Sequence, residues 1–183
     1  MTGAFVAVVG PSGSGKDAVI DCARAHYRDD ARLVFPRRVI TRPAGSGENH
    51  HPVSEAEFAD LSDAGEFAVH WDAHGLRYGV PRHVAAAVEE GCVAVVNVSR
   101  AAMAGLDETF STVHVVRVTV AEEVRRARIL SRGREASDEV LARLNRPDPA
   151  PGHPVTLEIV NDGALSDSGD ALVALLGEVL AES

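Results

Sequence analysis

The chain has 183 residues, 45% of them hydrophobic, which suits one substantial core with insertions and is too short for two ordinary domains. Its formal net charge of -9 excludes a general nucleic-acid binder, whose surface carries a basic field, so any phosphate site has to be a local cluster of cations. No apolar run reaches the roughly 18 residues of a membrane span. Cys22 and Cys92 lack CxxC spacing and no signal-like segment precedes the first apolar run, so two core thiols in a cytoplasmic protein are expected.

In chain order, the continuous β-branched run Ala4 to Val9 predicts a strand buried on both faces of a parallel sheet. Gly10 to Gly15 is a turn, and from Lys16 the apolar positions Val19, Ile20 and Ala23 recur at helical spacing. Ser54 and Glu57 form a capping-box pattern, with Val53 and Phe58 spaced as a hydrophobic staple. Phe67 to Val80 predicts a small antiparallel hairpin. Val93 to Val96, Val113 to Val120 and Val155 to Val160 are further strand candidates, with a short helix over Arg100 to Glu108. Thr119 and Glu122 predict a second capping box, opening a helix to about Arg132. Residues 131–146 are charged, and Pro147, Pro149, Pro151 and Pro154 then interrupt any helix. Strands alternating with helices predict an α/β fold with a mostly parallel sheet flanked by helices.

The most specific feature is Gly10-Pro11-Ser12-Gly13-Ser14-Gly15-Lys16-Asp17. Its glycines allow backbone angles that turn successive N–H groups into one concavity, the following helix adds the positive end of its dipole, and Lys16 can reach the β- and γ-phosphates of a nucleotide. Strand before and helix after supply the context that a P-loop requires. Of the 18 basic residues only Lys16 is lysine, a compact point charge where a guanidinium fork is wide. Asp17 stands where the usual loop has Ser or Thr. Its carboxylate is a hard oxygen ligand suited to Mg²⁺; the other reading is an acidic residue that favours the helix dipole. Arg125, Arg128 and Arg132 share one helix face, open to the nucleotide or to water. His70 and His74 lie on strand and turn, not on one helix face where zinc ligands converge.

Seven separated motifs follow the loop in order: Ile40-Thr41-Arg42; Gly47-Glu48-Asn49-His50; Ser54-Glu55 with Glu57-Phe58; Trp71 to Val80; Asn97-Val98-Ser99-Arg100; Arg132-Gly133-Arg134-Glu135; and Asn161-Asp162-Gly163. With the Gly-Lys-Asp loop, the set resembles the ribose 1,5-bisphosphate phosphokinase family, an offshoot of the guanylate kinases, from Val8 to about Leu176. The resemblance implies one P-loop kinase domain over 1–183, with an acceptor-binding lobe at about 38–80 and a lid at about 131–146. It implies ATP and Mg²⁺ as cofactors, ribose 1,5-bisphosphate as acceptor, and 5-phosphoribosyl 1-diphosphate and ADP as products, within phosphonate breakdown. The partners implied are ATP and a sugar phosphate, with neither nucleic acid nor membrane; a homodimer is left open.

Carried over residue by residue, the resemblance gives Lys16, Arg132 and Arg134 catalytic roles. It assigns nucleotide contacts to Gly10, Pro11, Ser12, Gly13, Ser14, Gly15, Lys16, Asp17 and Asn161, and metal binding to Asp17. Acceptor contacts fall to Arg42, Glu48, Trp71, Tyr78, Asn97 and Arg143. Asn97 stands where guanylate kinases have an acid after the strand. Guanylate kinases also read the guanine edge from two hairpin positions that here are Val69 and Val80, neither able to hydrogen-bond a base. A pocket without these partners has lost the polar readers that give discrimination. The expected acceptor offers a phosphate and no purine; the alternative is a guanylate-type nucleoside-monophosphate kinase.

Overall fold

The computed structural model describes residues 2–43, 49–131 and 153–182. A five-stranded parallel sheet is built from β1 (Ala4–Val9), β2 (Leu33–Val34), β7 (Val93–Asn97), β8 (Val113–Thr119) and β9 (Leu157–Val160), in the order β2-β7-β1-β8-β9. Central β1 is buried at all six positions, and its period of two divides the core. Ala4, Val6 and Val8 pack with residues of α1 (Lys16–His26) and of the C-terminal helix α6 (Leu165–Glu182), while Phe5, Ala7 and Val9 face the opposite layer. That layer holds α3 (His83–Glu89), α4 (Met103–Thr109) with the 3-10 turn Arg100–Ala102 before it, and the hairpin residues Val69, Trp71 and Val80.

The hairpin belongs to a second sheet of four strands, β4 (His50–Pro52), β3 (Arg38–Ile40), β6 (Leu76–Pro81) and β5 (Phe67–Ala73), in that order. Pairing is parallel between β3 and β4 and antiparallel elsewhere. Its two-residue turn, His74-Gly75, has positive φ at both positions, 57° and 73°, the geometry that matches strand twist in a tight hairpin. Helix α2 (Glu55–Asp63) covers this sheet, with Phe58 fully buried and stacked on Phe67 at 4.6 Å.

The capping box at Ser54 and Glu57 forms as expected: Glu57 N–H donates to Ser54 Oγ at 3.2 Å and Ser54 N–H donates to Glu57 Oε2 at 2.7 Å. Hydrogen bonds from the Ser54 backbone and hydroxyl hold the Glu57 carboxyl below its ordinary value of 4.5. The cap is therefore complete above that value and fades as pH falls through the lowered folded-state pKa. The second predicted box does not form. Thr119 is held extended as the last residue of β8, opposite Val160, and its hydroxyl donates to Ile159 O at 3.5 Å. The helix α5 (Glu122–Ser131) starts later, and its entry is held by Asp162 Oδ1, which accepts from Ala121 N–H at 2.6 Å.

Cys22 and Cys92 are free and half-buried, not core thiols. Cys22 lies in the contact between α1 and α6, where a β-carbon on Gly169 would stand 2.6 Å from Cys22 Cβ. Only glycine lets the helices approach this closely. No helix among the described residues is long and apolar enough to cross a membrane. Gly169→Val should lower stability by about 2 to 3 kcal/mol, measured by urea unfolding; a loss below about 0.5 kcal/mol would mean that the helices part without strain.

Candidate active site

The Gly10–Asp17 loop leaves the C-terminal end of β1, at the centre of the sheet, where the chain turns from strands on one side to strands on the other. Ligands of open parallel sheets bind at such points. Gly10, Gly13 and Gly15 have φ of 147°, 87° and 90°, and a β-carbon on Gly10 would lie 2.1 Å from Val118 O. Conformation and crowding thus both demand glycine there. Lys16 Nζ donates to Gly10 O at 2.7 Å and Pro11 O at 3.0 Å, which folds the ammonium across the loop.

Side chains from distant segments hold two further carbonyls, those of Ser12 and Ser14. Asn161 Nδ2 donates to Ser14 O at 2.8 Å while its own Oδ1 accepts from Ser168 Oγ at 3.0 Å. Arg125 Nε donates to Ser12 O at 3.0 Å and Arg128 Nη1 reaches Ser14 O at 3.5 Å. Because a trans peptide points its C=O and the next N–H in opposite directions, fixing these carbonyls aims the N–H groups of Gly13 and Gly15 away from the supporting side chains. The shared helix face of Arg125 and Arg128 is accordingly turned onto the loop, with Arg125 only 7% exposed.

Several expected ligand contacts take other places. Asn161 is 2% exposed and both ends of its amide are engaged, so it supports the nucleotide loop from beneath. Trp71 is 5% exposed and lies in the core, because it occupies the inward-facing parity of β5. It backs Tyr78, whose ring stacks on it at 5.4 Å with 5° between planes. Asn97, at the end of β7, turns toward the loop helix, where its Nδ2 donates to Asp17 Oδ1 at 2.7 Å. Arg42 follows β3; His50, 2% exposed, meets its carbonyl through Nε2 at 3.0 Å and so ties the start of β4 to the Thr41-Arg42 turn. Val69 and Val80 are 5% and 0% exposed, and neither presents an edge to a ligand. Glu48, Arg132, Arg134 and Arg143, the lid expected at about 131–146 from its second residue on, and Pro147, Pro149 and Pro151 lie outside the described residues.

A solvent-open cleft lies between the start of α1, the end of β7 and the second sheet. Asp17 and Asn97 line it on the core side, and Arg24, Arg38 and Asn49 line it elsewhere. The motifs do not single out Arg24 and Arg38; Arg38 starts a three-residue strand too short to show a period. Arg24 pairs with Asp21 and lies over the Phe35 ring. The arrangement can hold a polyphosphate at the loop and a second anionic molecule in the cleft beside it.

No protein-family model matches the chain. A protein from Pseudofrankia inefficax named ribose 1,5-bisphosphate phosphokinase PhnN is 53% identical over 174 residues, covering 95% of this chain and 90% of that relative. One of the same name from Rhizobium etli is 41% identical, covering 98% and 92%. Among solved structures, a guanylate kinase from Anaplasma phagocytophilum superposes with a TM-score of 0.69 at 21% identity, over 97% of this chain and 86% of its own; that likeness establishes the shared fold.

Asn161→Ala should cost about 2 kcal/mol, since the buried Ser14 carbonyl loses a donor, and weaken nucleotide binding by roughly tenfold. Urea unfolding and titration with ADP read the two effects. A normal ADP affinity would show that the loop keeps its shape without this support.

Proposed function

The chain belongs to the ribose 1,5-bisphosphate phosphokinase family, and from that premise we propose how its residues divide the work of the reaction. The protein is a kinase that phosphorylates ribose 1,5-bisphosphate to 5-phosphoribosyl 1-diphosphate. Identity above 50% across nearly the whole chain carries this reading over the guanylate kinase alternative, and the two buried valines of the hairpin agree with it. We take the donor to be ATP, accompanied by Mg²⁺.

Phosphoryl transfer asks the protein chiefly for positioning and for stabilisation of charge. The acceptor oxygen belongs to a phosphate already ionised at neutral pH, so no general base is needed. Loop N–H groups, with those of Gly13 and Gly15 aimed away from the supporting side chains, receive the donor phosphates. Lys16 exchanges its bonds to the Gly10 and Pro11 carbonyls for phosphate oxygens. Arg42 and Tyr78 hold the reacting phosphate of the acceptor; the family resemblance adds Glu48 and Arg143 to that side and gives Arg132 and Arg134 the neutralisation of charge on the transferring group.

The residues present fit Mg²⁺. In the common P-loop arrangement a hydroxyl on the loop and an acid from a neighbouring strand share the metal. Here the loop supplies the carboxylate, Asp17, and the strand supplies a neutral amide, Asn97, bonded to it at 2.7 Å. The pair keeps one negative charge and hard oxygen donors, with the two roles exchanged between loop and strand. Mg²⁺ bound there would neutralise charge on the donor phosphates. Asn97 orients the Asp17 carboxylate and limits its rotation.

Incubation with ATP, Mg²⁺ and either ribose 1,5-bisphosphate or GMP, followed by phosphorus NMR, tests the acceptor. The expected result is 5-phosphoribosyl 1-diphosphate from the sugar and no GDP; ADP formed with GMP and none with the sugar would overturn the assignment. Asp17→Ala should lower Mg²⁺-dependent turnover by roughly a hundredfold while changing the ATP dissociation constant by less than about threefold. Equal activity in that variant reduces Asp17 to a residue that complements the helix dipole.

A further inference from the structure

Ribose 1,5-bisphosphate carries a phosphate at each end, and only one of them accepts the transferred group. The other adds two negative charges that the protein must meet in a pocket, or the enzyme would not prefer a bisphosphate to a monophosphate. The cleft beside the loop offers Arg24 and Arg38. Arg24 belongs to α1, the helix behind the phosphate loop, and covers Phe35.

Arg38 is built differently. It opens β3 opposite His50, and its guanidinium carbon lies 5.9 Å from the centre of the Tyr78 ring. Tyr78 is stacked on Trp71, which is anchored in the core. The cation thus rests on two parallel rings whose lower member is buried in the core, a cation–π contact that restricts a long side chain before any ligand arrives. A guanidinium offers a planar fork to a phosphate, so two parallel charge-assisted hydrogen bonds can form. Asn49, one residue before β4, lines the same cleft and adds amide donors. Arg38 and Arg42 are four residues apart along a segment that starts extended, about 13 Å at most between Cα atoms. Two long side chains can close that span to the separation of two phosphates on one pentose.

We propose that Arg38, backed by Tyr78 and Trp71 and assisted by Asn49, forms a subsite for the non-reacting 5-phosphate of the acceptor, separate from Arg42 at the reacting phosphate. This rests on the acceptor assigned above. The subsite replaces the base-reading function that Val69 and Val80 lack, so the hairpin's specificity is for a second anion instead of a purine. Tyr78 then serves both phosphates, holding one through its hydroxyl and supporting the other's arginine with its ring.

Ribose 5-phosphate carries only the phosphate that this subsite takes, and it probes the site without turnover. It should compete with ribose 1,5-bisphosphate in the unaltered enzyme. Arg38→Met, which keeps the apolar stem, should raise its inhibition constant and the KM for the bisphosphate by about 30-fold each. The KM for ATP should move by less than about twofold, and kcat should fall far less than KM rises; Arg38→Lys should recover part of the loss. Absence of competition by ribose 5-phosphate, an unchanged inhibition constant in Arg38→Met, or an equal rise in the KM for ATP would each overturn the subsite. If ribose 1,5-bisphosphate is not phosphorylated at all, the acceptor assignment fails instead, while calorimetric titration with ribose 5-phosphate still reads whether Arg38 binds it. Coincident urea midpoints for the variant and the unaltered protein establish that the fold is retained.

Discussion

A buried carbonyl has to be hydrogen-bonded, and the carbonyl of Ser14 meets that demand through the amide of Asn161. Glycine-rich loops have little conformational preference of their own, so the shape that receives phosphate is imposed from outside. Asn161 can reach the loop because β9 adds in parallel to β8, and the Asn161 N–H bond to Thr119 O at 2.9 Å continues that pairing. Ser168, in the first turn of α6, orients the amide from the other side. The packing of α6 on α1, tight enough to require Gly169 against Cys22, therefore bears on the geometry of a loop some 150 residues earlier in the chain.

Charge is distributed with similar economy. A chain of net charge -9 that handles multiply charged phosphates must concentrate its cations, and two of them, Arg125 and Arg128, are spent on loop carbonyls. Guanidinium groups suit this task because they donate along fixed directions. Lys16 remains as the compact charge at the mouth of the loop. Asp17 and Asn97 keep a single carboxylate between them, which avoids a second negative charge beside the donor phosphates.

Part of the architecture was legible in the sequence. Buried β1 is a continuous apolar run, the hairpin has its two strands and turn, and the box at Ser54 sits one residue before its helix. What escaped were the helices His83–Glu89 and Leu165–Glu182, and also β2, β3 and β4, which have two or three residues each and show no period, so Arg38 looked like any arginine. The box expected at Thr119 was overridden because pairing with β9 holds that residue extended. Trp71 and Tyr78 both stood out in the hairpin; as directly paired residues of β5 and β6 they share one face of the sheet, where Trp71 is buried in the core and Tyr78 stacks on it half-buried.

By itself, the sequence determined that the chain forms a mostly parallel α/β sheet with a phosphate-binding loop between its first strand and first helix. These properties follow from local periodicity, from glycine stereochemistry and from the chemistry of single side chains, none of which needs distant partners. Only the tertiary structure decided that Asn161, Arg125 and Arg128 hold the loop, that Asn97 answers Asp17, and that Arg38 stands over the Tyr78 ring. Each of these depends on contacts between segments far apart in the chain, and such contacts are settled by sheet register and helix packing together.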